Sequence, residues 1–130
     1  MIALDTNILV GWFAEDDEAQ TAQVDRLIDE LSPNNPGFIN LVVIAELFWV
    51  LRRALRLPAD QIHDVIDSLL ASSDIEVEDE ETVDLALQAA RDGADFSDAL
   101  IAVTSELYGC AETVTFDRKA ARRFGWRLLA

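Results

Sequence analysis

Two residue types that build many catalytic sites are nearly missing from the sequence. Among 130 residues there is one cysteine, Cys110, and one histidine, His63. An internal disulfide is therefore excluded, and so are zinc sites made of cysteine and histidine. A serine–histidine triad would have to use His63 itself. We predict that His63 lies on the polar side of its helix and that both residues have structural roles.

Long apolar runs are missing too. No run reaches the roughly 18 residues needed to cross a bilayer, and Asp5 interrupts the N-terminus before a secretory signal can form. Hydrophobic residues still make up 51% of the chain, enough to bury a substantial core. We therefore expect a soluble, cytoplasmic protein with no membrane partner, folded as one domain over residues 1–130.

Basic residues are scarce and unevenly placed. Lys and Arg total 10 against 25 Asp and Glu, which gives a net charge of −15. Taken alone, this balance disfavours nucleic acid as a ligand, because Lys and Arg drive phosphate binding. Most of the basic residues nevertheless fall into two arginine-rich clusters, at residues 52–56 and 118–127.

Short β-like runs alternate with longer helical patterns along the chain. This order predicts an α/β domain with a central, mainly parallel sheet flanked by helices. Strands are predicted at residues 1–4, 37–40, 75–77, 113–116 and 126–129. Helices are predicted at residues 17–31, 41–55, 59–72, 79–93, 96–109 and 117–124.

Two acids directly follow predicted strands. Asp5 comes after the first strand and Asp117 after "TVTF". Because the carboxyl ends of parallel strands open onto one edge of a sheet, we expect both side chains at the same edge. The alternative is that each acid only caps the helix that follows it.

Two further acids lie inside helical patterns. Glu46 sits in "LVVIAELFWVL", which is apolar on every side, so we expect a buried carboxylate that needs a metal or an ion pair with Arg52 or Arg53. Asp98 opens the helix in "DFSDALIA", where Asp95 is the expected cap and leaves Asp98 free. The acids at residues 15–18 and 76–82 are interpreted as solvated faces or helix starts.

Four acids without a histidine or cysteine cluster indicate a site for a hard cation. Carboxylate oxygens suit Mg²⁺ or Mn²⁺. Such an ion lowers the pKa of a bound water and stabilises the charge that builds on a phosphate under attack. The chemistry that fits this pattern is metal-assisted phosphodiester hydrolysis.

The ordered set of motifs resembles the acidic signatures of PIN-domain ribonucleases, and among them the VapC-type toxins of type II toxin–antitoxin pairs. The motifs are "ALDTNILV", the lone Glu in "VVIAELFWVLRRAL", "DFSDALIA" and "TVTFD". The resemblance covers essentially the whole chain, and the order of the motifs is more specific than any one of them.

The resemblance implies a PIN-like α/β domain whose acidic pocket binds Mg²⁺ or Mn²⁺ and cleaves RNA. By motif match, the catalytic and metal-binding residues are Asp5, Glu46, Asp98 and Asp117. Asp5 and Asp98 are expected to be direct ligands, with Glu46 and Asp117 acting through water or a second ion. The polar residues expected to support the pocket are Thr6, Asn7 and Thr115.

The resemblance also implies partners. These are an RNA substrate, a second copy of the chain in a homodimer, and a cognate VapB-like antitoxin that blocks the pocket. An apolar groove for the antitoxin is expected among Trp12, Phe13, Phe48 and Trp49. Phosphate contacts are expected from Arg118, Arg122 and Arg123, unless these residues pair with the abundant acids.

Two other functions remain open. The chain could be a PIN-like RNA-processing nuclease that is not a toxin, or a catalytically silent acidic module that binds a peptide. A receiver-like domain is disfavoured because the only lysine, Lys119, lies in a basic helix. A dehalogenase-type phosphatase is disfavoured because its second acid is replaced by Asn7.

Overall fold

The computed structural model describes residues 1–14 and 17–130. Of the acidic run predicted to be solvated at residues 15–18, Glu15 and Asp16 therefore lie outside the described residues. The described chain forms two compact units, Met1–Glu80 and Glu81–Ala130.

The first unit is built on a parallel sheet of three strands, β1 (Ile2–Ala3), β2 (Gly37–Ile39) and β3 (Ile75–Val77), in that order. Two helices, α1 (Thr6–Ala14) and α2 (Glu18–Glu30), connect β1 to β2. The connection from β2 to β3 contains α3 (Leu41–Trp49), a π-helical segment (Val50–Ala54) and α4 (Ala59–Ala71). Helical crossovers between parallel strands confirm the predicted α/β class.

The second unit contains the rest of the helices and one more pair of strands. Its helices are α5 (Glu80–Arg91), which begins at the last residue of the first unit, α6 (Phe96–Leu107) and α7 (Arg118–Phe124). The strands β4 (Val114–Thr115) and β5 (Arg127–Leu128) pair with each other in parallel. No helix among residues 1–14 and 17–130 is long and apolar enough to cross a membrane.

The predicted elements are present, with shifted ends. All five strands and all six helices predicted from the sequence occur. The predicted helices do not include residues 6–14, although the capping alternative for Asp5 supposes a helix there; "TNILVGWFA" is apolar almost throughout and has no clear polar stripe. Strands β1 and β4 belong to different hydrogen-bonded sheets, so a common edge for Asp5 and Asp117 remains a prediction.

His63 differs from its prediction. Its side chain is only 7% exposed, on the face of α4 that also buries Ile62, Ile66 and Leu69. Residues three and four apart share a face of a helix, and His63 joins Ile66 on the buried face of α4 by that spacing.

Short polar side chains start the helices. Asp17 accepts hydrogen bonds from the backbone N–H groups of Ala19 and Gln20, and Asn40 accepts one from Val43 at 2.9 Å. These bonds satisfy donors that have no partner within a helix, which stabilises each first turn. The acid at residue 17 is therefore explained as a cap.

A side chain at the first residue of the middle strand β2 would displace the ends of neighbouring side chains. A Cβ added to Gly37 would lie 2.8 Å from Leu4 Cδ1, 3.0 Å from Leu31 Cδ1 and 3.1 Å from Ile75 Cδ1. The ends of these leucine and isoleucine side chains fill the space above the strand. At Gly11 in α1, by contrast, the nearest atom is Val24 Cγ2 at an ordinary 3.4 Å.

We predict opposite effects of alanine at these two glycines. Gly37→Ala should lower the free energy of unfolding by about 1–3 kcal/mol, because it overpacks the core. Gly11→Ala should leave it unchanged or raise it by up to about 1 kcal/mol, because alanine favours helix. Urea denaturation of both variants measures the difference, and equal effects would contradict the packing described for β2.

Candidate functional site

The Asp5 carboxylate follows β1 and does not cap the helix α1. The carbonyl of Asp5 accepts the N–H of Ile8 at 3.0 Å and so begins α1. The Asp5 side chain is exposed, and among the described residues its only hydrogen bond comes from Asn7 Nδ2, at 3.5 Å. Its carboxylate is therefore available to a ligand, and the side-chain capping alternative does not apply to it.

The residue after Asp5 connects α1 to α3. Thr6 is buried, and its hydroxyl donates a hydrogen bond to Oε1 of Glu46. A threonine hydroxyl and a methyl group on the same Cβ allow Thr6 to pack in the core and still hold a carboxylate. Glu46 is thus held by the residue that directly follows Asp5, at the start of α1.

Glu46 itself is exposed, which corrects the prediction that it is buried. The core-facing side of α3 consists of Val43, Ile44, Leu47 and Phe48. The water-facing side carries Val42 and Trp49, which are 74% and 59% exposed. This exposed face is not recognisable in the sequence, because two of its residues, Val42 and Trp49, are apolar. The alternative ion pair is also not formed, since Arg52 Nη1 donates instead to the carbonyl of Leu57 at 3.2 Å.

The sequence prediction missed two polar residues at the same strand ends. Asn40 follows β2, and Glu78 follows β3 and accepts the N–H of Leu41 at 2.9 Å through Oε1. All three strands of the first sheet are therefore followed by polar side chains. Position directly after a strand, which had drawn attention to Asp5, was the signal that could have found Glu78.

The second unit holds a separate group of acids. Asp95 caps α6 by accepting the N–H of Asp98 at 2.9 Å, as predicted. Partial burial raises the pKa of the Asp98 carboxyl, and the negative charges of Asp95 and Asp117 raise it further. Carboxylates that repel one another in this way favour a cation between them.

Asp117 has two roles in this group. Its Oδ1 accepts the N–H groups of Lys119 at 2.9 Å and Ala120 at 3.0 Å, so the capping alternative holds for α7. The hydroxyl oxygen of Thr115 accepts the Asp117 N–H at 3.0 Å and fixes the chain just before the cap. The side chain nevertheless acts electrostatically on Asp98.

The arginines and aromatics of the predicted binding surfaces differ in what they contact. Arg123 pairs with Asp92 at 3.1 Å, which is the alternative predicted for it, whereas Arg118 and Arg122 are exposed. Trp12 and Phe13 stack on each other with ring centroids 4.9 Å apart and are only half exposed. Phe48 is buried. Among the four aromatics expected to line a groove, Trp49 is therefore the one mainly in solvent.

The carboxylate oxygens of the four predicted acids are suitable ligands for a hard cation. In the described part of the chain, no three Asp, Glu, His or Cys side chains form a group that could hold a metal by themselves. Mg²⁺ does not require such a group, since it commonly binds one or two carboxylates and fills its shell with water and substrate phosphate. None of the four predicted acids pairs with Arg or Lys among residues 1–14 and 17–130.

Comparison with known proteins gives one match. A family model described as PIN domain matches residues 2–125. The matched segment includes all four predicted acids, Asp5, Glu46, Asp98 and Asp117. A search of curated proteins returns no match.

The raised pKa of Asp98 predicts a pH-dependent loss of stability. The folded chain binds the proton of this carboxyl more tightly than the unfolded chain does, so stability falls as pH rises from the ordinary value of 3.8 through the raised folded value. Asp98→Asn should therefore raise the thermal midpoint at pH 7, by a few degrees at most because the group is partly exposed.

The gain from Asp98→Asn should shrink as pH is lowered toward the ordinary aspartate range. Calorimetry from pH 4 to pH 7 measures it. Asp67→Asn, on the exposed side of α4, makes the same change of net charge and is the matched control. A gain of equal size in both variants would assign the effect to net charge and contradict local repulsion at Asp98.

Proposed function

Because the chain belongs to the PIN domain family, we propose that it is a Mg²⁺- or Mn²⁺-dependent endoribonuclease that hydrolyses phosphodiester bonds in RNA. Membership of this family implies nuclease activity in general, usually metal-dependent. The observation that carries the finer proposal is the lack of basic counter-charges at Asp5, Glu46, Asp98 and Asp117 among the described residues.

The proposal gives each side chain a role. Asp5 and Asp98 are assigned as direct ligands of the cation, and Glu46 and Asp117 as groups that act through water or a second ion. When bound, the cation supplies a water of lowered pKa and neutralises charge on the phosphate. Thr6 keeps Glu46 oriented through the hydroxyl hydrogen bond.

Asn7 and Thr115 are assigned as residues that support the acids. Asn7 donates to the Asp5 carboxylate and restricts its rotation. Thr115 holds the N–H of Asp117 and so fixes where that cap begins. Groups that orient a ligand in this way are part of metal sites and affect their affinity.

We propose further that this nuclease is a VapC-type toxin. The order of the four acidic motifs supports this class. The net charge of −15 suits a basic inhibitory segment of a VapB-like antitoxin, and the toxin would act as a homodimer. A non-toxin PIN nuclease or a silent binding module are the alternatives. A neighbouring gene for a small, partly basic protein discriminates the toxin from both.

Removing either proposed ligand should abolish cleavage while the fold survives. Asp5→Asn and Asp98→Asn should each lower Mg²⁺-dependent cleavage of single-stranded RNA by about 100-fold or more. Mg²⁺ should also raise the thermal midpoint of the wild type by more than that of either variant, because it binds the folded state. Asp67→Asn is the control. Wild-type cleavage rates in both variants would refute the assignment.

The hydrogen bond between Thr6 and Glu46 predicts a second pattern. Thr6→Val keeps the shape of the buried side chain and removes its hydroxyl, so cleavage should fall about 10- to 100-fold. Stability should change by less than about 1.5 kcal/mol, because Glu46 can turn to water. Thr6→Ser retains the donor and should keep most of the activity. Equal loss in the two variants would exclude the hydroxyl as the cause.

A further inference from the structure

The exposed face of α3 presents a large aromatic side chain beside a proposed catalytic acid. Trp49 is 59% exposed although its neighbours Leu47 and Phe48 are buried. It follows Glu46 by three residues, a spacing that places two helical side chains about 5–6 Å apart at Cβ. Single exposed aromatics are common on protein surfaces, but an indole beside an acid offers a flat apolar face on which a ligand can stack.

Three arginines come directly after Trp49. Arg52, Arg53 and Arg56 are all exposed. In the described part of the chain, none of them pairs with a carboxylate, whereas Arg123 and Arg127 do. Arg52 uses one Nη1–H on the carbonyl of Leu57, whereas the guanidinium groups of Arg53 and Arg56 are available to an external anion in a chain with 25 acidic residues.

The backbone holds these arginines in an unusual path. Residues Val50–Ala54 form a π-helical turn, and the N–H of Leu55 bonds the carbonyl of Val50. Arg56 then adopts a left-handed conformation with φ of 57°, where glycine or asparagine is usual. A non-glycine residue in this conformation carries local strain, and such strain is typical of positions where a side chain has a function.

We propose that Trp49 and the arginines at 52, 53 and 56 form a substrate subsite for single-stranded RNA, in which an unstacked base lies on the indole and the guanidinium groups contact phosphates. This inference rests on the proposed ribonuclease function. Aromatic stacking combined with adjacent positive charge is the general chemistry of single-strand binding. A duplex is disfavoured, because its bases are stacked on one another and cannot cover the indole.

The subsite accounts for how a chain of net charge −15 binds a polyanion. Screening limits long-range repulsion to about 8 Å at physiological salt, so the local charge near the strand determines binding. The arginine cluster follows Glu46 along one helix and its π-helical extension, which places positive charge on the exposed side of the same segment.

Binding to labelled RNA in EDTA tests the subsite without cleavage. Trp49→Ala should weaken binding to a single-stranded oligonucleotide about 5- to 150-fold. Trp49→Phe retains an aromatic face and should restore most of the affinity. Tyr108→Ala removes an aromatic side chain that is 81% exposed in the second unit and is the matched control. The wild type should prefer the single strand to a duplex of the same sequence.

The arginines are tested by the salt dependence of the same binding. Arg53→Gln with Arg56→Gly should reduce the slope of log affinity against log salt by about 1.4, since each phosphate contact on a single strand contributes about 0.7. Glycine accepts the left-handed backbone at residue 56, so this change does not strain the fold. Arg26→Gln, on α2, should leave the slope unchanged.

The outcomes separate this inference from the proposed function. Wild-type protein that cleaves RNA with Mg²⁺, together with a Trp49→Ala variant that binds RNA as tightly as wild type, overturns the subsite alone. Absence of metal-dependent cleavage in the wild type overturns the proposed function. If Trp49→Ala changes the oligomeric state but not RNA affinity, Trp49 belongs to a protein interface and the subsite is wrong.

Discussion

The close packing over Gly37 determines where the polar residues of the first unit can lie. The side-chain ends of Leu4, Leu31 and Ile75 lie about 3 Å from where a Cβ of this residue would be, which favours one register for β2. A slip of one residue would turn every side chain of the strand to the other face. With the register fixed, Ala3 pairs with Phe38 and Ile39 with Val77, and polar residues follow each strand end. At these strand ends, the side chains of Asn40 and Glu78 accept hydrogen bonds from backbone N–H groups in the first turn of α3. The position of Glu46, one turn further on, follows from this packing.

Acids that do not have such structural roles destabilise the folded state, because the fold itself does not neutralise their charge. Asp98 is partly buried near two other carboxylates, and the net charge of the chain offers little local compensation. In the described part of the chain, Arg123 and Arg127 form ion pairs with Asp92 and Glu112 and not with the proposed ligands. Natural proteins keep such unrelieved charge mainly where a ligand relieves it. A divalent cation and an RNA phosphate together would balance both the acids and the unpaired arginines.

Local rules predicted the elements and most of the caps, and they failed where tertiary contacts decide. Five strands and the cap at Asp95 followed from hydrophobic runs and short polar residues, which act within a few positions. The hydrogen bond between Thr6 and Glu46 joins residues 40 positions apart, so no local pattern contains it. The missing helix at residues 6–14 and the buried His63 have a related cause. Each lies in a segment whose burial depends on which neighbouring element packs against it.

Two apolar residues on the exposed side of α3 explain why the sequence predicts a buried Glu46. With Trp49 and Val42 counted among the core residues, the segment from residue 41 to 51 is apolar on every side. In the structure, Trp49 and Val42 lie on the solvent-facing side of α3 with Glu46. The helix is therefore amphipathic, but its sequence does not show this because two residues on its exposed side are apolar. A single exposed apolar residue needs no explanation by itself, so the proposed RNA subsite rests on Trp49 together with the arginines that follow it, which have no acidic partner among the described residues. The tryptophan that concealed the exposure of Glu46 thus lies where aromatic stacking and positive charge combine, which is the chemistry of single-strand binding.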